Sequence, residues 1–257
     1  MTPGGTVTAA AEVAFYETMD VVEPVEGWLT RDQARRLWER VRAVPARGVV
    51  VEIGSYRGRS TILLGRGAPV GASVVAIDPH AGSDRGPQEI RGTWEEGEAD
   101  HRAFRANLER GGVADRVRHV RLFSQEALGD VQGQVDLLYV DGAHRFGPAR
   151  DDIERWGARV RPGGAMLVHD GFSAIGVTLA TLRLLVPGRR FRYAGRTGSL
   201  VEYERSDLGG RERLRNALRQ LAELPWFARN LVVKVALVTH LTPLARLVGH
   251  RSRDWPY

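Results

Sequence analysis

The chain of 257 residues contains no cysteine, which excludes disulfides, thiolate metal sites and cysteine nucleophiles. Lysine is almost absent as well. Of 37 basic residues only Lys234 is not arginine, a skew that a GC-rich coding sequence imposes, so arginine abundance by itself carries little functional meaning. No stretch of about 18 uncharged apolar residues occurs, and a membrane-spanning helix is not expected. The first residues lack a basic start followed by an apolar core, because Glu12, Glu17 and Asp20 interrupt them. No signal peptide is expected, and the expected location is the cytoplasm. No internal repeat is visible.

What is present reads as an ordinary globular chain, 43% hydrophobic and 26% charged, long enough for one α/β domain with additions. The formal charge of +6 sits at one end: nine basic residues face three acidic ones from Arg211 to Tyr257, and the remainder is balanced. Such a tail suits an anionic membrane, a nucleic acid or an acidic partner.

Residues 1–27 show no sustained period and are expected to form a loose arm or lid. Thr30-Arg31-Asp32-Gln33 has the form of a capping box, opening a helix that Pro45 and Gly48 stop near Val44. Strand and helix signals then alternate. Val49–Ile53 is a continuous apolar run, as in a strand buried on both faces. Further strands are expected over Val74–Ile77, Val117–Leu122, Val135–Val140 and Ala165–Val168, the last preceded by a turn at Arg161-Pro162-Gly163-Gly164. Helices are expected over Arg59–Arg66, Glu98–Arg110, Pro148–Val160 and Ile175–Val186. Residues 80–97 read as a long loop, and Phe191–Ala194 with Ser199–Glu204 as a terminal hairpin. The pattern predicts a Rossmann-like α/β fold: a mostly parallel seven-stranded sheet with helices on both faces. It implies three regions: an N-terminal arm and helix (1–44), the α/β domain (45–205), and a basic amphipathic helical extension (206–257) that Pro225 and Pro243 divide.

The first strand and its turn read VVVEIGSYRGRST. Gly54 and Gly58 permit unusual dihedrals and a close backbone approach, and the following helix offers free N–H groups. In a dinucleotide enzyme this turn would hold a pyrophosphate. The spacing E-x-G-x-x-x-G differs from that fingerprint, and Glu52 would oppose a phosphate. A carboxylate there suits a cationic ligand, such as the amino group of a methionine moiety. Asp78 ends the second strand, where an acidic side chain can accept the hydroxyls of a ribose. Gly54 and Gly58 alone would equally fit a plain βα turn.

With VVAIDPH, DLLYVDGAH and RPGGAMLVHDGF, that segment resembles the class I S-adenosylmethionine-dependent methyltransferases. It is most similar to the branch of small-molecule and sugar O-methyltransferases, over about residues 45–205. The resemblance implies S-adenosylmethionine as cofactor. It places Glu52, Gly54, Ser55, Gly58 and Ser60 at the methionine end, Asp78 at the ribose, and Ser124 and Gln125 where the family contacts adenine. Read alone, Ser124 also fits a simple helix cap.

Asp141, Gly142 and His144 follow the fourth strand; His169 and Asp170 end the fifth. Ligands of open α/β sheets lie beyond the carboxyl ends of the strands, so these side chains can converge on one acceptor. Two readings stay open. In one, Asp141, His169 and Asp170 hold Mg²⁺ or another divalent ion that acidifies a hydroxyl; the pair His169-Asp170 departs from the acidic ligands of related enzymes. In the other, His144 or His169 is a general base oriented by Asp141 or Asp170. A turn at Asp141-Gly142 and a merely buried His169 would be the unremarkable alternative. His80 is a candidate for contact with cofactor or substrate, His101 reads as a solvated helix position, and Trp94 as a cover or anchor of the long loop. Asp151-Asp152 is expected in the first turn of its helix.

The expected activity is O-methylation of a hydroxyl on a small molecule, sugar-bearing or polyketide-like. A nucleic-acid methyltransferase is the second class, but no N-P-P-Y-like tetrapeptide and no series of stacking aromatics occurs, so a nucleic-acid partner is not expected. A non-catalytic cofactor-binding protein is the third. In the extension, Leu214, Leu218 and Leu221 share one helical face, expected to pack on the core or a second subunit of a homo-oligomer. Residues 226–247, with Trp226, Phe227, Leu231, Val235 and Val238, are the expected site of any peripheral membrane contact.

Overall fold

A computed structural model of the protein describes residues 9–82, 92–240 and 242–250. Its strands are β1 (Val49–Ile53), β2 (Ser73–Ile77), β3 (Val117–Val120), β4 (Val135–Val140), β5 (Val160–Val168), β6 (Phe191–Thr197) and β7 (Leu200–Arg205). They form one sheet in the order β3-β2-β1-β4-β5-β7-β6. The first five in that order run parallel; β7 pairs antiparallel with β5, and β6 antiparallel with β7. The sheet is thus seven-stranded and Rossmann-like, closed at one edge by the expected hairpin.

The helices are α1 (Ala9–Val22), α2 (Arg31–Arg42), α3 (Arg59–Gly67), α4 (Trp94–Arg110), α5 (Phe146–Asp151), α6 (Ile175–Leu184), α7 (Gly210–Leu221), α8 (Leu224–Val238) and α9 (Thr242–Leu247). Alternate strand residues feed two cores, as period-2 geometry requires. Val50, Leu137, Tyr139 and Leu167 face α1, α2, α3 and α4. Val51, Ile53, Leu138, Val140 and Met166 face α6 and the α5 segment.

The structure corrects several expectations. Within the stretch read as a loose arm, residues 9–22 are helix α1. Its Phe15, Met19 and Val22 follow i, i+4, i+7 spacing and are fully buried, each contributing roughly 1.5–3 kcal/mol by leaving water. The 1–44 region therefore shares its core with the sheet. Of the loop 80–97, residues 83–91 lie outside the described residues. Residues 94–97 already belong to α4, whose capping box is Thr93 with Glu96. The expected turn at 161–164 is bulged strand: β5 begins at Val160, and its register against β4 shifts between Val135 and Leu137. The helix expected to run regularly from Pro148 breaks into α5, a π-helical turn over Asp152–Trp156 and a 3₁₀ turn. The capping box Thr30/Gln33 forms as expected.

The extension is helical but not detached. On α8, Asn230, Val233 and Ala236 are buried, and Trp226 and Phe227 pack against the core, with the Arg196 guanidinium 3.8 Å above the Trp226 ring. These aromatics are half-buried, while Val235 and Val238 farther along α8 are exposed. On α7 it is Asn216 and Gln220 that turn inward, and Leu214, Leu218 and Leu221 that face out, so that of the two expected packings the one on the chain's own core does not occur.

Candidate active site

A cavity of about 250 Å³ opens over the carboxyl ends of β1, β2, β4 and β5, walled on one side by the segment between α1 and α2. Its floor is the turn after β1. The Gly54 N–H donates to Ile77 O at 2.9 Å, and its φ is +83°. A Cβ at this position would stand 2.2 Å from the carbonyl oxygen of Asp141, so only glycine lets the ends of β1 and β4 close to this distance. Gly58 serves packing instead. It sits at the left-handed N-cap of α3, and a Cβ would press on Leu108 and Phe104. It lies behind the cavity wall.

Glu52 also lies behind that wall. It is fully buried and accepts hydrogen bonds from Ser60 Oγ and Thr61 Oγ1, each at 2.5 Å. Burial pushes its carboxyl up to about 8; the two hydroxyls pull against this, and Asp141 and Asp78 add to it. Glu52 thus braces the first turn of α3 from outside the residues that line the cavity, whereas the resemblance placed it at the methionine end. Ser55 does line the cavity, with its buried Oγ lacking a hydrogen-bond partner among the described residues.

Asp78 shapes the same turn. Its Oδ2 accepts the N–H groups of Ser55 (2.9 Å) and Tyr56 (2.8 Å), and its Oδ1 that of His80 (2.8 Å). Part of the acceptor capacity of the carboxylate remains for a ligand hydroxyl. The His80 ring donates from Nε2 to Tyr56 O at 2.7 Å, which leaves Nδ1 buried beside the cavity without a hydrogen-bond partner among the described residues. His101 is not simply solvated: its ring is 5.2 Å from those of both His80 and His119. Trp94 opens α4 and lies under the Arg121 guanidinium.

At the far end, Ser124 and Gln125 line the cavity. Ser124 Oγ donates to Asp152, whose carboxyl burial raises to about 6 although that hydroxyl pulls it down. The π-helical turn, which Asp152 opens, gives it this inward aim, in place of the first-turn position expected after Pro148; such turns recur at functional sites.

A polar network closes the cavity where β4 and β5 end. The Asp141 carboxylate accepts Tyr139 OH at 2.9 Å and pairs with His169 Nδ1 at 3.0 Å. His144 Nε2 lies 3.2 Å from Asp170 Oδ2. His169 is buried, with Nε2 3.4 Å from Gln33 Oε1; Gln33 in turn donates to Ser199 Oγ at 3.1 Å. Burial opposes a charge on His169, yet Asp141 and Asp170 outweigh it and raise the ring to about 9. Burial likewise opposes ionisation of Asp170, but the charges of His169, His144 and Lys234 hold its carboxyl below the ordinary value. Asp170 and Phe172 adopt left-handed φ values of +55° and +56°, a costly conformation for such residues. Helix α8 clamps this turn: Asn230 Nδ2 donates to Phe172 O at 3.4 Å and Lys234 Nζ to Ser173 O at 2.9 Å.

These contacts decide how well Asp141, His169 and Asp170 suit a divalent ion. Mg²⁺ asks for oxygen ligands in octahedral array, whereas a charged imidazole is no ligand at all. Here the His169 ring itself fills the space between the two carboxylates, with Nδ1 3.0 Å from Asp141 Oδ1 and 3.8 Å from Asp170 Oδ2. Among the described residues no three His, Asp or Glu side chains gather as a metal site. The set does not fit the metal reading. Nor does a doubly paired, buried His169 suit a general base. His144, which lines the cavity, does.

Sequence reasoning missed Arg59, Gln33 and Asp152. Arg59 lines the cavity, anchored by Nη1 to the carbonyls of Glu23 (3.2 Å) and Val25 (2.7 Å). It has no carboxylate partner among the described residues, and its Nε is buried without an acceptor. Gln33 was visible only as half of a capping box; its second role depends on β7 and its turn.

Residues 51–171 match a family described as a methyltransferase domain. Among solved structures, cofactor-bound Rv0187 from MTB is 21% identical, with 80% of this chain and 94% of that chain covered and a TM-score of 0.53. The O-methyltransferase from Bacillus cereus in complex with SAH is 18% identical, covering 75% and 91%, TM-score 0.54. The O-methyltransferase TomG from Streptomyces achromogenes, involved in tomaymycin synthesis and solved with SAM, is 17% identical, covering 75% and 89%, TM-score 0.51. The glycine turn held by Asp78 and the ends of β4 and β5 thus lie within a segment that matches a methyltransferase domain, on a seven-stranded sheet whose fold is that of these solved structures.

Proposed function

We propose that the protein methylates a hydroxyl oxygen of a small molecule, sugar-bearing or polyketide-like, with His144 as general base. The observation that carries this reading is the His144–Asp170 pair, 3.2 Å apart, on the cavity wall. S-adenosylmethionine, when bound, supplies a methyl group on a cationic sulfur. The residues at the ends of β4 and β5 then have one task, to deliver a nucleophilic oxygen in line. His144 takes the hydroxyl proton at Nδ1, while Asp170, 3.2 Å from Nε2, steadies the imidazolium formed. His169 orients Asp141 through their 3.0 Å pair, and its charge helps to hold Asp170 ionised. At the cofactor end, Ser55, Ser60 and Arg59 suit the methionine carboxylate, Asp78 the ribose, and Ser124, Gln125 and Asp152 the adenine.

The names of the neighbours support an oxygen acceptor: two are O-methyltransferases, one of them in natural-product synthesis. The test is mass spectrometry after incubation with methyl-labelled S-adenosylmethionine and a panel of hydroxyl-bearing metabolites. Label on an oxygen is expected, and His144→Gln should cut turnover about 10²–10⁴-fold with S-adenosylhomocysteine affinity unchanged. Label appearing only on amine or nucleic-acid acceptors would overturn the reading.

A further inference from the structure

Helix α7 is amphipathic the wrong way round. Its buried side chains are the amides Asn216 and Gln220, while Leu214, Leu218 and Leu221 are 62%, 58% and 40% exposed. The helix cannot roll to hide them. Asn216 accepts from Tyr193 N (2.7 Å) and donates to Phe191 O (3.0 Å), replacing the neighbour that edge strand β6 lacks. Gln220 donates to Leu185 O (3.3 Å) and accepts from Tyr203 OH (3.2 Å). Freeing either amide would leave buried backbone groups unpaired. The outward leucines at i, i+4 and i+7 form a short apolar stripe, and Arg211, Arg215 and Arg219 are exposed beside it.

We propose that this face of α7 docks the protein on an anionic lipid surface, the leucines entering the acyl boundary and the arginines meeting phosphate groups. The charge pattern selects this occupant. In a two-fold dimer the patch would meet its own copy, setting three arginines against three, with Glu212 the one acid on the exposed face. A nucleic acid would pair with the arginines but leave the leucines in water. No helix among the described residues is long and apolar enough to cross a membrane, so contact lies in the interface plane.

Flotation of the full chain with phosphatidylcholine vesicles, and with vesicles of phosphatidylcholine and phosphatidylglycerol in equal parts, tests this. Association is expected only with the anionic vesicles and should weaken at high salt. The triple variant Leu214→Ser, Leu218→Ser, Leu221→Ser and the double variant Arg211→Gln, Arg215→Gln should each weaken it about ten-fold or more. S-adenosylhomocysteine titration should match the parent in both, which shows that the fold and cofactor site are intact. No association with anionic vesicles, or equal association with neutral ones, would overturn the proposal. So would loss on Val235→Ser, Val238→Ser with the α7 variants unaffected. A parent that is dimeric by light scattering and that the leucine variants render monomeric would assign the stripe to a second copy instead.

Discussion

Glu52 and Arg59 are the two charged-type side chains on which the cofactor end turns, and they act in opposite ways. Glu52 holds its proton to about pH 8 because burial disfavours the anion. Between about pH 4.5 and 8 the unfolded chain has released a proton that the folded state retains, so stability falls as pH rises through that window. Glu52→Gln keeps an acceptor for Ser60 or Thr61 and removes the titration. Denaturant unfolding should then show a smaller loss from about pH 5 to about pH 8 than in the parent, each pKa unit being worth about 1.4 kcal/mol. Arg59 is a desolvated cation, with Glu23 the nearby charge acting on it but no carboxylate paired to it among the described residues. Charge-assisted hydrogen bonds of roughly 1.5–3 kcal/mol predict that Arg59→Gln weakens S-adenosylhomocysteine about 10- to 100-fold. Methylthioadenosine, which lacks the carboxylate, should bind both proteins alike by calorimetry; equal losses for the two ligands would make Arg59 structural. The glycines, Ser55 and Asp78 were readable because backbone demands and residue type coincide in a short motif. The depth of Glu52 was not readable, because a sequence reports a carboxylate but not how far it is buried. Arg59 is one arginine among dozens, singled out only by where the segment between α1 and α2 crosses it.

At the scale of elements, the parallel strands were legible since strands covered on both faces must be apolar throughout. Helix α1 was not. Its Phe15-Met19-Val22 stripe is diluted by outward Val13 and Tyr16 and by an alanine-rich first turn. On α7 the leucines suggested a core face, but the hydrogen-bonding need of β6 decided the orientation, and a sheet edge cannot be seen from a helix's own sequence. The element-scale prediction follows: Asn216→Ala leaves Tyr193 N and Phe191 O unpaired and should cost roughly 2–4 kcal/mol in chemical denaturation. An outward change such as Leu218→Ser should cost within about 0.5 kcal/mol.

For the molecule as a whole, acid stability rests on a patch beneath the ribose end. His80, His101 and His119 cluster around Phe104. Burial, with repulsion from His80 and His101, lowers His119 to about 4. The folded state therefore resists a proton that the unfolded chain takes up, and stability drops as pH falls from about 6.5 towards 4. His119→Phe should lose less melting temperature than the parent between about pH 7 and about pH 5. The overall architecture was legible because alternating strands and helices admit few arrangements. The three-sided construction of the acceptor site was not, since α2, the β6–β7 turn and α8 are remote in sequence from the residues they hold.

That construction bears on synthesis. Gln33 and Ser199, which meet at the His169 ring, are separated by 166 positions. A ribosome-bound chain that has completed its glycine turn and its first parallel strands already owns the parts of a cofactor cradle, yet the imidazole at its rim stays unbraced until the last hairpin emerges and folds back. Bracing of the acceptor end therefore waits on the latest parts of the chain, the β6–β7 turn and then α8.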